Sequence, residues 1–353
     1  MVKRQFHIAF GSPIDAQTTN REAREGLRPR HFMLEVATRL DAKIWEPDRS
    51  AIPRSRTIGD RIASIGPHMA AFAETLVDDV SDEDVIFANS EGASLPIADR
   101  LLKSGKRTKL VSFGHNLLRP RMRALMALTG IINRHDIIYV VTPLLQAGLE
   151  ARLKNSAKIE FIREQIDDDF FAPGPQSPDK KRALIMSVGM EQRDYRTLGA
   201  AAEQLDLDVK ISGFSRDTKV NAEALPDIMP TNMEQRFFEW GELAQLYRDA
   251  DIVIAPVREN NYAAGITTIL EGMSARRPVI ASRTAGLKGI FADEDAIIWV
   301  PPGDPAAMNA AITNLLDDKT KRDDMVERAT AMFSAGHTLN GQAEAMAARL
   351  KAL

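Results

Sequence analysis

The chain contains no cysteine. Disulfides, thiolate nucleophiles and cysteine-ligated zinc are thereby excluded. Histidines are few and scattered. His7, His31, His68, His115, His135 and His337 form no HExxH and no close pair, so a histidine metal cluster has little support. No run of about 18 apolar residues occurs, and no segment reads as a membrane-spanning helix. The first residues, MVKRQFHIAFG, are a short charged lead into a strand and lack the apolar core of a secretory signal. A cytoplasmic location is the expectation. The formal charge is -3, which argues against a uniformly basic surface for nucleic acid. Internal repeats and low-complexity tracts are absent.

What is present is alternation. With 353 residues, 44% hydrophobic and 27% charged, the chain suffices for two packed domains. Short apolar runs alternate with helical patterns, as in parallel sheets with crossover helices. Strands are expected within residues 6–10, 42–45, 84–88, 109–113, 136–141 and 158–162, with helices such as 94–105 between them. The stretch 165–181, rich in Pro, Asp and Gly, has neither period and reads as a linker. A second set follows at 182–189, 207–213, 251–257, 278–282 and 296–300. The expected organisation is a Rossmann-like domain over 1–164, a linker over 165–181, a second Rossmann-like domain over 182–335, and a C-terminal segment over 336–353. The helix in that last segment, about 341–353, follows a completed sheet and can pack back on the N-terminal domain.

The most informative stretch is DIVIAPVRENNYAAGITTILEGMSARRPVIAS, residues 251–282. A buried strand ends in a glycine loop and feeds a helix, which is a natural anion site. The first amides of the helix lack partners and its dipole is positive there. Gly265 lets the backbone approach a ligand, and Thr267 and Thr268 add hydroxyls. Glu271 lies one turn below the tip on the face of Thr268. A ribose falls there when its diphosphate rests on the tip, and a carboxylate accepts well from a cis-diol. The same spacing also suits an ordinary solvated acid.

This stretch resembles the signature of glycosyltransferase family 4. ELAQLYRDADIVIAPV (residues 242–257), WVPPGDPAAMNAAITNLLDD (299–318), SVGMEQRDYRTLGAAAEQL (187–205) and IEFIREQIDDDFFAP (159–173) extend the likeness over most of 159–333. LVSFGHNL (110–117) carries it more weakly into the first half. The resemblance implies an α/β GT-B fold, two Rossmann-like domains with parallel sheets facing a cleft. It also implies a retaining, metal-independent transferase using a nucleotide sugar as co-substrate, with no other cofactor. On this resemblance the donor contacts are Glu271 at the ribose and Gly189, Ala264, Gly265, Ile266, Thr267 and Thr268 at the diphosphate and sugar. Arg193 falls at the position of a family lysine, and His115 resembles a histidine that reaches the donor sugar.

Two departures stand out. Eight residues before Glu271, where the family places a first acid, is Ala263. Met190 follows Gly189 where the family has an arginine. Arg196, Arg258 and Glu259 are candidates to compensate, and Gly11 and Glu91 are further candidates at the rim of the first domain. The resemblance implies front-face attack within an ion pair, which needs no enzyme nucleophile, and no GxSxG elbow is present. A nucleotide-sugar epimerase and a non-catalytic sugar-nucleotide binder are the rival readings.

The region from Arg100 to Lys158 carries twelve Lys/Arg against two acids, Asp136 and Glu150. In LLRPRMRALMALTGIINR (117–134), Leu118, Met122, Leu125, Met126 and Leu128 share one helical arc. Arg119, Arg123 and Arg134 share the next, while Arg121 falls among the apolar positions. Such a helix suits an anionic membrane surface at the inner face, or a core-packed helix with a solvated basic edge. The membrane reading makes a lipid-linked acceptor the expectation. The polar stretch 12–30 and the Pro-broken stretch 46–61 read as long acceptor-side loops.

Overall fold

A computed structural model describes residues 4–54, 66–115, 117–152, 158–212 and 222–353, apart from the side chains of Arg121, Ala127 and Leu128. The chain divides into two compact units. The first comprises Met1–Arg24, Arg30–Ile162 and Ala343–Leu353; the second comprises Glu25–Pro29 and Arg163–Gln342.

Each unit is built on six parallel strands. In the first these are β1 (Phe6–Ala9), β2 (Lys43–Trp45), β3 (Val85–Ala88), β4 (Lys109–Phe113), β5 (Ile137–Val140) and β6 (Ile159–Phe161), in the order β2-β1-β3-β4-β5-β6. Ile8 pairs with Ile44 on one side and Phe87 on the other, which fixes the register at the centre. The second unit has β7 (Leu184–Val188), β8 (Asp208–Ser212), β9 (Met233–Gln235), β10 (Ile252–Ala255), β11 (Val279–Ser282) and β12 (Ile298–Val300), in the order β12-β11-β10-β7-β8-β9. The central strands read as unbroken apolar runs because helices cover both faces. All four residues of β3 and of β10 are buried. In β8 burial alternates, with Val209 and Ile211 inside and Asp208, Lys210 and Ser212 half-buried, so one face stays open.

The sheet orders matter for function. Strand order reverses between β1 and β3 in the first unit and between β7 and β10 in the second. Loops leaving the carboxyl ends of strands at such a reversal splay apart and leave a crevice.

Several expectations require correction. The polar stretch 12–30 contains a helix, Ala16–Arg24. It has almost no apolar face; its start is held by Glu46, whose carboxylate accepts from the amides of Ile14 (2.7 Å), Asp15 (2.9 Å) and Ala16 (2.8 Å). Of the stretch 46–61, residues 55–61 lie outside the described residues. The segment 165–181, read as a linker, contains neither helix nor strand, and part of it is held to the second unit. Phe171 is buried in the second unit's core, and Ser177 donates its amide and its hydroxyl to Asp249 at 2.7 and 2.8 Å. The last helix runs Leu339–Lys351.

Candidate functional site

The site is assembled where β7 and β10 diverge. β7 is followed by Gly189, whose φ of 102° only glycine adopts without strain. The loop after β10 ends at Gly265 (φ 90°, ψ -8°), which caps the helix Ile266–Ser274. The two loops are stitched together by backbone. Asp194 donates its amide to Pro256 O, and Arg258 donates its amide to Gln192 O, both at 2.8 Å, on either side of a bridge between Arg193 and Val257.

Arg193 is the buried cation of this junction, 4% exposed. Its guanidinium donates to Val188 O (2.8 Å), Glu191 O (3.0 Å) and the Thr268 hydroxyl (2.9 Å). These bonds use three of the five N–H groups an arginine carries. A Cβ on Gly265 would lie 3.7 Å from Arg193 Nη1, so the charge sits directly under the helix tip. The helix ladder begins with the Ile269 amide on Gly265 O. The amides of Thr267 and Thr268 precede it and belong to the turn that lacks helical acceptors.

Individual candidates fare differently at the tip. Thr267 is exposed. Thr268 is fully buried, and its hydroxyl donates to Val188 O at 3.1 Å. The expectation of a ligand-directed hydroxyl at Thr268 is therefore corrected: it binds the helix to β7 and to Arg193. Ala264 and Ile266 are buried, and the Ile266 amide is already bonded to Ala263 O at 3.2 Å. The Ala264 amide is likewise spent within the loop, on Tyr262 O at 2.7 Å.

Glu271 is half-buried one turn further on. Its Oε2 accepts a hydrogen bond from the hydroxyl of Tyr247, which lies in helix Trp240–Asp249. Burial pushes the Glu271 carboxyl up to about 7; the Tyr247 hydrogen bond and the Arg193 charge oppose that shift. Burial, together with the neighbouring Glu271, raises the Tyr247 phenol. Tyr195 donates to Gly189 O at 2.6 Å, and its own phenol is pushed up to about 12 by burial. The residues missed from sequence are thus Tyr247 and Tyr195. Both occupy apolar positions of helical periods and are indistinguishable there from core.

The compensating candidates do not join this cluster. Arg196 pairs with Asp227 through two bonds of 2.7 and 2.8 Å and donates to Glu223 O at 3.0 Å. Arg258 also donates to Glu223 O. Both guanidinium groups are committed to the segment 222–227, and neither replaces the missing arginine at Met190. Glu259 accepts from the Ala285 amide at 2.8 Å, which holds the loop after β11.

In the first unit Gly11, Glu91 and His115 come together at the carboxyl ends of β1, β3 and β4. Gly11 donates its amide to Asn89 Oδ1 at 2.8 Å, and a Cβ there would meet Ser90 Oγ at 2.6 Å. Glu91 opens the helix Glu91–Ser104 and accepts from the His115 amide at 3.1 Å. The exposed His115 ring stacks on Phe113, centroids 5.8 Å apart. Asn116 lies outside the described residues.

The basic stretch is an α-helix over Pro120–Thr129, ended by Gly130 (φ 63°), and a 3-10 turn over Ile131–Arg134 follows. Leu125 is buried, and Leu118, Met122 and Met126 pack on the same core, so this apolar arc faces inward. Arg119 and Arg123 are exposed; the side chain of Arg121 is outside the description. Arg134 is structural, donating to Lys106 O (2.9 Å) and Thr108 O (2.6 Å). Among the described residues no helix is long and apolar enough to cross a membrane.

Two Rossmann-like units of six parallel strands, one with an anion-suited helix tip at its switch point, define the GT-B class of fold. Sequence comparison agrees: residues 186–318 match the family model described as Glycosyl transferases group 1. The chain is 27% identical over 220 residues to an alpha-D-kanosaminyltransferase from Streptomyces kanamyceticus, covering 62% of this chain and 46% of that one. It is 26% identical over 226 residues to a D-inositol 3-phosphate glycosyltransferase from Corynebacterium urealyticum, covering 56% and 53%. The matches thus span about half the length of these relatives. Among solved structures, HepE from Anabaena in complex with UDP-glucose superposes with a TM-score of 0.68 at 14% identity, over 99% of this chain and 100% of that one.

Proposed function

We propose that the chain is a retaining glycosyltransferase that moves a sugar from a nucleoside-diphosphate sugar, a UDP-sugar first among donors, to a hydroxyl acceptor. The observation that carries this reading is the buried Arg193 beneath the Gly265 tip, with Glu271 one turn below on the same helix. As the bond between the anomeric carbon and the diphosphate breaks, negative charge grows on the leaving group. Preorganised amides and a fixed cation lower that barrier most. Here the Thr267 and Thr268 amides face the leaving group, and Arg193 acts through its buried charge and by fixing the tip. Glu271 takes the ribose diol. On this reading neither a metal nor an enzyme nucleophile is required. HepE, whose fold this chain shares, was crystallised with UDP-glucose, which supports a UDP-sugar donor. The exposed Arg119 and Arg123 support a lipid-linked acceptor at an anionic membrane face.

Thermal unfolding with UDP, GDP, ADP and TDP, with and without EDTA, tests the donor site. A ligand at about 100 times its Kd adds about 2.7 kcal/mol. A shift with UDP that survives EDTA and is lost in Glu271→Ala is expected. No shift with any nucleotide sinks the proposal. Hydrolysis of the matching donor separates an enzyme from a mere binder.

A further inference from the structure

The donor-site reading leaves Tyr247 without a part. This residue sits in helix Trp240–Asp249, on neither tip loop, and its side chain is fully buried. A phenylalanine would fill the same core volume. A buried hydroxyl is tolerated only when it is bonded, and this one is directed to Glu271. Among the described residues, Tyr247 alone hydrogen-bonds the Glu271 side chain. The ring itself is held edge-on by Phe171, with centroids 5.5 Å apart. The charged and titratable groups facing the pair are Arg193, from the loop after β7, and Tyr195, from the helix Tyr195–Ala202.

We propose that Tyr247 is the positioning residue for Glu271: its hydroxyl occupies Oε2, fixes the carboxylate, and leaves Oε1 turned to a ribose diol. This rests on the donor-site reading given above. A glutamate on a helix surface otherwise samples several rotamers, and ordering it on binding weakens the ligand. Held in advance by Tyr247, it is ready. The hydrogen bond also favours the carboxylate over the acid, and the carboxylate is the better acceptor.

The test compares UDP with 2′,3′-dideoxy-UDP by calorimetry at pH 8, for wild type, Tyr247→Phe, Glu271→Gln and the double variant. Wild type is expected to prefer UDP by about tenfold, the scale of a hydrogen bond to a charged group. Tyr247→Phe should lose most of that preference while binding the dideoxy analogue unchanged. In the Glu271→Gln background it should add nothing further, the mark of a residue acting through another. The pH below which UDP affinity falls should also move upward in Tyr247→Phe. Wild-type preference retained in Tyr247→Phe, with Glu271→Gln impaired, overturns the positioning role and leaves the donor site standing. A wild type that binds no UDP, or does not distinguish the two ligands, overturns the ribose reading and Tyr247's role with it. Should Tyr247→Phe not fold by circular dichroism, Phe171→Leu keeps the hydroxyl but loosens its ring. A partial loss of preference is then expected, and none overturns the proposal.

Discussion

Glu271 carries opposing demands. Burial holds its carboxyl near 7, above the ordinary glutamate range, so around neutrality the folded chain holds a proton there that the unfolded chain has released. A group raised in this way contributes stability that is complete below its unfolded pKa, about 4.5, and is lost as pH rises through about 7. Ribose binding needs the opposite form, the carboxylate. Glu271→Gln should therefore raise the Tm at pH 8 and change it little at pH 5, while weakening UDP at pH 8. Glu164 is also pushed up to about 7 by burial, so both chains keep its contribution and only their difference reports Glu271. Equal melting of variant and wild type at pH 8 would show that Glu271 bears no burial penalty. Such a gain in stability with loss of function is common at binding sites.

At the level of elements, legibility followed burial. Strands such as β3 and β10 were readable because both faces are covered and every residue is apolar. β9 was not, because its three residues, MEQ, offer no β-branched run and only Met233 is buried. The helix Ala16–Arg24 was missed because Glu46 caps it from a distant strand end, a tertiary cause with no local period. The tip itself was legible from Gly265, since a positive φ at a strand–helix junction needs that residue. The direction of Thr268 was not, because which hydroxyl faces β7 depends on how the helix is seated. The helix Pro120–Thr129 illustrates the same limit. Its arcs were visible, but only packing showed that the apolar arc belongs to the core. A membrane contact there would be electrostatic, without insertion. Binding to vesicles with anionic lipid is thus expected to fall steeply between low and physiological salt, and to weaken by about 1 kcal/mol for each of Arg119→Ala and Arg123→Ala. Salt-resistant binding would point to an apolar anchor elsewhere.

At the scale of the whole molecule, the two sheets are complete before the last helix begins, yet residues 343–353 are packed rather than loose. Ala343, Met346, Ala347 and Leu350 are all 3% exposed or less, and residues 343–353 belong to the first unit although the preceding residues belong to the second. Arg349 pairs with Glu160 at the end of the first sheet at 2.6 Å, and Arg4 donates to Lys351 O at 3.4 Å. The exposed ion pair is worth little, about 0–1 kcal/mol. The apolar burial matters more: Met346 and Leu350 together contribute about 3–6 kcal/mol, against a total domain stability of about 5–15 kcal/mol. Truncation after Gln342 removes this from the first unit and leaves the helix tip of the second unit intact. Calorimetry of the truncated chain should therefore show the first unit melting well below its wild-type temperature. The second unit should keep its transition and its shift with UDP. Loss of the UDP shift on truncation would mean that the donor site depends on the first unit's integrity. An unchanged first transition would mean that the C-terminal helix is a passenger. The first outcome makes residues 343–353 part of the first unit's fold, even though the second unit separates them in sequence from the rest of it.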